Sequence, residues 1–555
     1  MGDLSMRSIF VPALAGLIAT GACGDDRAES GSASGTTATT SPTTATGTTT
    51  ATGTDGSGSG TATGSTGSST SGPIFDVGQN ADIGGPAPTC KVVDDMDAVG
   101  DCGKEAPPDS FDPDVQWTYG ASTAIIATPL VANLTDDNDD GEIDLCDVPD
   151  IVVVTDGIVG SLIVLDGATG QEHFKVDGLF SSFITPAIGD IDKDGIPEIV
   201  AATPSPHRLV ALEHDGSMKW MGAGTWQTAQ GGAIAIADMD NDGFPEIIAD
   251  GLVSNNVGGI VFQAPEQTGW LVAQKNTAPV AADLDGDNDL ELVLGQSAYQ
   301  HDGTQIWYRP EVEPGYPQIA DLDGDGEPEV LINNQSGITM LEHDGTVRFK
   351  DLRPTGDPKG IGAWFRPSTV HDFDDDGVSE FAVSSAAHYA VYEPLPAPTP
   401  KWTATVADES GWAAGTAFDF LGDGEAEAMY ADEEFFFIFD GTGTPVLQVP
   451  RSSKTLIEYP VVADVDNDGS SEVVVVSSLG WDDTQTSPGV QVIRDAQDRW
   501  IQARRIWNQH TYHVTNVRED GTIPQFEKPH WKLLNTFRTN AQIEDGSVCK
   551  PPPAG

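Results

Sequence analysis

Apolar residues along this chain gather in short runs, interrupted at regular intervals by turn-forming and acidic residues. Thr185-Pro-Ala-Ile188, Gly232-Ala-Ile-Ala-Ile236 and Tyr459-Pro-Val-Val-Ala463 each precede an acidic stretch. Ile199-Val-Ala-Ala-Thr203, Val330-Leu-Ile-Asn333 and Val473-Val-Val-Val-Ser477 each follow one. Such runs between turn signals predict buried β-strands rather than helices. A third and a fourth strand are then joined at turns such as Leu165-Asp-Gly-Ala-Thr-Gly170, Glu213-His-Asp-Gly216, Gln300-His-Asp-Gly303, Glu342-His-Asp-Gly345 and Phe439-Asp-Gly441. Asp-Gly between apolar runs is a strong hairpin signal. Four strands per repeat is the arithmetic of a propeller blade, whereas parallel solenoids repeat over shorter periods. The expected fold is an all-β propeller of four-stranded blades, eight in number, with seven as the alternative. Val115-Gln-Trp-Thr-Tyr119 reads as an orphan fourth strand able to close the ring against the last blade.

The acidic stretches are eight nonapeptides whose starts lie 38 to 54 residues apart. Their pattern is Asp-x-Asp-x-Asp-Gly-x-x-Glu, which suits Ca²⁺: the ion wants six to eight hard oxygen ligands at about 2.3–2.6 Å. Acids at positions 1, 3 and 5 of a tight loop point inward, and Gly at position 6 permits the turn. The backbone carbonyl of position 7 and the acid at position 9 would complete the shell. The candidate ligands are Asp136, Asn138, Asp140 and Asp144 in the first loop, and Asp190, Asp192, Asp194, Ile196 and Glu198 in the second. The third offers Asp238, Asp240, Asp242, Phe244 and Glu246; the fourth Asp283, Asp285, Asp287, Asp289 and Glu291, with Asn288 at the glycine position. The fifth offers Asp321, Asp323, Asp325, Glu327 and Glu329, and the sixth Asp372, Asp374, Asp376, Val378 and Glu380. The eighth offers Asp464, Asp466, Asp468, Ser470 and Glu472. The seventh, Asp419 to Glu427, carries Leu421 in place of the acid at position 3 and is the weak one. No EF-hand helices flank these loops; Mg²⁺, or hairpins binding nothing, are the competing readings.

With following Pro-Glu-Ile-Val, these loops resemble FG-GAP/VCBS repeats, the units of the integrin α-subunit propeller and of many bacterial exported proteins. The resemblance spans residues 124–503. It departs in position 9, here mostly Glu rather than Asp, and in Thr-Pro or Tyr-Pro where the family has Gly-Ala-Pro. It implies a propeller whose loops hold calcium.

Arg7 and the apolar run Ile9 to Ala19, ending in Thr20-Gly21-Ala22-Cys23, resemble a bacterial lipoprotein signal cut before a lipidated Cys23. The organisation read from sequence is therefore a signal peptide at 1–23, a Ser/Thr/Gly linker at 24–73 with too little apolar surface to fold, a cysteine-containing lead-in at 74–114, the propeller at 115–503 and a distinct segment at 504–555. Cys90, Cys102, Cys146 and Cys549 remain, an even count that favours disulfides in an exported chain. Three pairings are open; the local one, Cys90 with Cys102, leaves Cys146 to Cys549.

Charge narrows the partners. With 86 acidic against 27 basic residues the formal net charge is −59, which repels nucleic acid and leaves a lipid anchor as the only expected membrane contact. The expected role is a surface binding or adhesion module for a protein or glycan. A purely structural envelope lipoprotein and a calcium-dependent propeller enzyme, such as a polysaccharide lyase, are the alternatives. Without G-x-S-x-G, H-E-x-x-H or a P-loop, and with few cations in the blades, the chain is expected not to be an enzyme. The basic and aromatic segment Arg504-Arg-Ile-Trp-Asn-Gln-His-Thr-Tyr-His-Val-Thr-Asn516 is expected to pack as a cap on the acidic ring. His510, His513 and His530 form a less favoured transition-metal set.

Overall fold

The computed structural model describes residues 90–92, 100–107, 110–157, 159–226, 231–265, 278–408 and 412–550. The signal peptide with Cys23, the 24–73 linker and most of the lead-in lie outside the described residues. Eight antiparallel blades stand in a ring. Their innermost strands are Leu130–Ala132, Ala187–Gly189, Gly232–Ala237, Val280–Ala282, Gly315–Ala320, Thr369–His371, Gly415–Phe418 and Val461–Ala463, with Ile184–Thr185 adding a short parallel strand at the inner edge of Gly232–Ala237. In blades one to seven the strands run outward in chain order. Blade eight borrows its outer strand: Pro113–Tyr119 pairs antiparallel with Val490–Asp495. The ring is thus closed by hydrogen bonds between segments far apart in sequence, as the orphan strand at 115–119 implied.

Burial follows position in the blade. Glu329–Asn334, a second strand, is buried throughout, whereas the outer Val347–Leu352 alternates between half-buried and exposed. The outer strands also lock neighbouring blades. Trp307 of blade four lies against the Asp344-Gly345 turn of blade five, its Nε1 donating to the His343 carbonyl at 3.0 Å. Trp117 of blade eight does the same to blade one, donating to the Gly167 carbonyl at 2.7 Å. Glycine is required there twice over: Gly345 has φ +78°, and a Cβ on it would sit 2.7 Å from Trp307 Cγ. Gly345→Ala should therefore cost about 2 kcal/mol or more in urea unfolding. An unchanged midpoint would show that the turn yields freely.

Residues 504–542 form the centre of the molecule rather than a cap. In order, Trp507 pairs with Val131 of blade one, and the Asn508 carbonyl accepts from Ile188 N–H of blade two. Gln509 Oε1 accepts from Ile236 N–H of blade three, and Thr511 donates to the Pro279 carbonyl beside blade four. His530 meets the Ile319 carbonyl of blade five, and Phe537 pairs with Val370 of blade six. The Arg538 carbonyl accepts from Thr416 of blade seven, and Asn540 donates to the Val462 carbonyl of blade eight. The segment thus touches each blade once around the ring, at its innermost strand or, in blade four, at the residue that leads into it. A second layer of Ala127, Ala233, Ala278, Tyr316, Phe365, Trp412 and Ile457 forms one apolar cluster contributed from blade one and blades three to eight or their lead-ins. Together they fill the axis.

The disulfides correct the expected pairing. Cys90 bonds Cys146 and Cys102 bonds Cys549, with Cα–Cα distances of 4.9 and 5.2 Å. The reason is backbone pairing: Asp101 bridges Lys550 in parallel, and Lys550 N–H donates to the Gly100 carbonyl. Cys90 meanwhile lies beside the first acidic loop, its carbonyl accepting from Leu145 N–H. The lead-in therefore ties the first blade at one point and the end of the central segment at another. Among the described residues no helix is long and apolar enough to cross a membrane.

Candidate metal centres

All eight acidic loops share one backbone. Position 4 has positive φ in each (Asp139, Lys193, Asn241, Gly286, Gly324, Asp375, Gly422, Asn467), as has position 6, where Asn288 takes the glycine role with φ 76°. Oxygen of the position-1 acid folds the turn: Gly195 N–H donates to Asp190 Oδ2 at 3.0 Å, Gly326 N–H to Asp321 Oδ2 at 3.0 Å, and Gly377 N–H to Asp372 Oδ2 at 2.9 Å. Position 5 accepts from the position-7 amide, as in Ile196 to Asp194, Phe244 to Asp242, Asp289 to Asp287, Glu327 to Asp325, Val378 to Asp376 and Ser470 to Asp468. The position-9 glutamate opens the second strand and accepts from the position-2 amide at 2.6–3.2 Å in loops two to eight.

These contacts use positions 1, 5 and 9. Loop seven keeps them all although its position 3 is Leu421, so the acids elsewhere at position 3 are not needed to shape the turn. What they do is converge. One oxygen each of Asp190, Asp192 and Glu198 lies within 4.8 Å of the others, and the same holds for Asp238, Asp240 and Glu246. The set is all hard oxygen, the chemistry a divalent cation such as Ca²⁺ takes. Buried Glu291 Oε1 and Glu472 Oε1 have no hydrogen-bond partner, which leaves a lone pair uncompensated unless an ion meets it. Burial, reinforced by the neighbouring carboxylates, pushes Glu246, Glu291 and Glu329 up to about 8. Burial likewise lifts Asp238 to about 6, and raises Glu472 well above the carboxylate range.

Loop one departs from its expected ligand set. The turn at Asp136, Asn138 and Asp140 is present, with Gly141 N–H on Asp136 Oδ2 at 2.9 Å. Asp144, however, does not close it: its carboxylate accepts from Cys146 N–H. Asp147 takes that role, accepting from Asp137 N–H at 3.0 Å, and Asp150 opens the second strand, accepting from Leu134 N–H at 2.9 Å. The turn is an insertion between Asn133 and Asp150, so counting nine residues from Asp136 stopped short.

A second feature was not singled out from sequence. The residue before the outer strand's aromatic reaches the loop of its own blade. Lys219 Nζ lies 2.6 Å from Asp192 and 3.0 Å from Glu198. Arg348 pairs with Asp323 and Glu342, and Lys401 with Asp374, Glu380 and Glu393. His173 takes this place in blade one, 3.4 Å from Asp150. Blades three and four have Val261 and Ile306 there, both exposed; the positive groups beside their loops come from elsewhere, Lys193 of loop two over the Phe244 ring and His301 3.1 Å from Asp289. Asp240→Ala and Asp192→Ala should each lower the bound Ca²⁺ count by one in equilibrium dialysis, while Asp423→Ala in loop seven should leave it unchanged. Loss of an ion from Asp423→Ala would assign a site to loop seven after all.

Of the histidines, His510 stands apart, tilted against Tyr316 at 6.2 Å and edge-on to Tyr459 at 5.1 Å. His513 and His530 meet, with ring centroids 4.4 Å apart. A cleft of about 350 Å³ opens between loops six and seven and the central segment, lined by Asp372, Asp375, Asp419, Asn535 and Gln542 among others.

A model of the FG-GAP-like repeat matches residues 190–249 and 321–383, which run from loop two into the second strand of blade three and from loop five into the second strand of blade six. No curated protein matches the sequence. Among solved structures, the Vibrio cholerae biofilm matrix protein Bap1 superposes with a TM-score of 0.67 at 21% identity, covering 80% of this chain and 100% of that one. The rhamnogalacturonan lyase YesW superposes with a TM-score of 0.50 at 14% identity, over 80% of this chain and 84% of that one. That likeness corrects the expectation that the chain is not an enzyme, since the same ring serves a lyase. A site assembled from loops of several blades leaves no contiguous motif, so the lack of one excludes nothing. The chain carries FG-GAP-like repeats and folds as an eight-bladed β-propeller.

Proposed function

We propose that this is an exported propeller, stiffened by calcium in its acidic loops, that binds a protein or glycan partner at the cell surface or in an extracellular matrix. The observation that carries the calcium reading is the convergence of carboxylates at positions 1, 3 and 9, those at 1 and 9 buried and some with unpartnered oxygens. Two disulfides support residence outside the reducing cytosol. The ring shared with a biofilm matrix protein supports the matrix setting. Because the axis is filled by residues 504–542, the partner contacts the outer faces. Trp481 is one such contact: it is 59% exposed, with Lys454 Nζ 6.0 Å from its ring centroid, a surface suited to stacking on a sugar.

The test is a screen of acidic and neutral polysaccharides and cell-surface proteins, run in millimolar Ca²⁺ and in EGTA. Binding should require calcium, and Trp481→Ala should weaken it about tenfold, some 1.4 kcal/mol, without moving the melting temperature. Binding indifferent to chelator would overturn the reading. Anchoring is tested separately: a palmitate analogue should label the wild type and not Cys23→Ser, and an unlabelled wild type would remove the lipid anchor.

A further inference from the structure

We propose that His513, Glu527 and His530 form a buried site for one transition-metal dication, zinc by its donor set, independent of the calcium loops. One ligand atom from each residue lies within 4.8 Å of the others. Both imidazoles are oriented by backbone carbonyls, which can only accept. His513 Nδ1 lies 3.0 Å from the Thr511 carbonyl, so the proton sits on Nδ1 and Nε2 faces Glu527 Oε1 at 2.6 Å. His530 Nε2 lies 2.9 Å from the Ile319 carbonyl, so its proton sits there and Nδ1 presents a bare lone pair. That Nδ1 has no partner, in a residue with no exposed surface. A carbonyl-held imidazole turning its other nitrogen toward a carboxylate, as His513 does, is the outer-sphere arrangement that metal-binding histidines use.

Without an ion the arrangement is costly. A proton shared between His513 and Glu527 satisfies that pair, but His530 Nδ1 stays buried and unpaired, a desolvation cost that nothing offsets. A tetrahedral Zn²⁺ with donors at about 2.0–2.2 Å satisfies all three at once, with the His513–Glu527 contact opening by some tenths of an ångström and the three atoms, now within 4.8 Å of one another, closing around the ion. Thr515 Oγ1, donating to Glu527 Oε1 at 3.1 Å, steadies the carboxylate. Two nitrogens and one oxygen select zinc, cobalt or copper over calcium, which prefers oxygen alone. The site lies where the central segment meets the inner strand of blade five, so an ion there would pin residues 513–530 to the ring.

The experiment uses the full chain in saturating Ca²⁺, which keeps the acidic loops occupied. Co²⁺ is added, excess is removed by desalting, and retained cobalt is measured together with its visible absorption. The wild type should hold one equivalent with the intense bands of a four-coordinate ion, and one Zn²⁺ should displace it. Glu527→Gln, which keeps a hydrogen bond to His513, and His530→Gln should each weaken retention at least tenfold. If His530→Gln does not fold, Glu527→Gln decides alone. No cobalt on the wild type, or equal retention by a folded variant, would overturn the proposal.

Discussion

Removing calcium with EGTA is expected to lower the melting temperature on the order of 10 °C. At millimolar Ca²⁺ and extracellular-type affinities each site contributes about 1 kcal/mol, because only the folded state binds. Seven loops with oxygen donors at positions 1, 3 and 5 then sum to several kcal/mol, a large part of a domain's net stability. Mg²⁺ should rescue poorly, since it dehydrates reluctantly and demands octahedral geometry. The loss should also depend on pH. Glu246, Glu291 and Glu329 titrate at about 8 in the metal-free fold against an ordinary 4.5. The folded state therefore holds their protons more tightly than the unfolded chain does. That contribution is fully present below about pH 4.5 and is lost as pH rises toward 8. The melting temperature in EGTA should fall from pH 5 to pH 8, and calcium should restore more at pH 8. A calorimetric scan that shows no chelator effect at pH 8 would contradict this.

The next largest effect falls on the axis. Trp507 is fully buried, stacked on Tyr512 at 4.6 Å between centroids and edge-on to Tyr459 at 5.9 Å. Its backbone pairs with Val131 of blade one. Trp507→Ala removes a large buried ring where eight inner strands leave little room to collapse, and should cost about 3–5 kcal/mol. Urea unfolding in saturating calcium measures it. A segment that merely capped the ring would tolerate the change, so a shift below 1 kcal/mol would return residues 504–542 to that lesser role. Arg538 makes the same point with polar contacts, since its guanidinium reaches the His510 and Ser368 carbonyls in a fully buried setting.

The blades were legible because their signals are local. Each acidic loop carries its own turn residues, and each Asp-Gly hairpin is read within a few positions. Even Asn288 for glycine could be judged from its tolerance of left-handed backbone. The closing strand at 115–119 was legible by elimination, since it was a strand with no blade. What failed was long-range. Cys102–Cys549 follows the pairing of residues 100–102 with Lys550, and Cys90–Cys146 the contact of Cys90 with Leu145, neither of which a spacing rule anticipates. Asp147 was missed because an insertion pushed the closing acid past the ninth position. Lys219, Arg348 and Lys401 become a set only once the outer aromatics Trp220, Phe349 and Trp402 are aligned; a basic residue before an outer-strand aromatic was the available signal. Glu527 lies 14 residues from its partner His513, and nothing in its neighbourhood marks it.

Calcium content tests the central claim most directly. The purified chain, equilibrated in about 20 mM Ca²⁺ so that sites of extracellular-type affinity are filled, with a matched buffer blank, is analysed by elemental mass spectrometry. The account predicts about seven ions per chain at saturation, one for each loop except that of blade seven, falling by one in Asp240→Ala. One ion or none at saturation, with a melting temperature indifferent to EGTA, would reduce the eight loops to plain hairpins and contradict it.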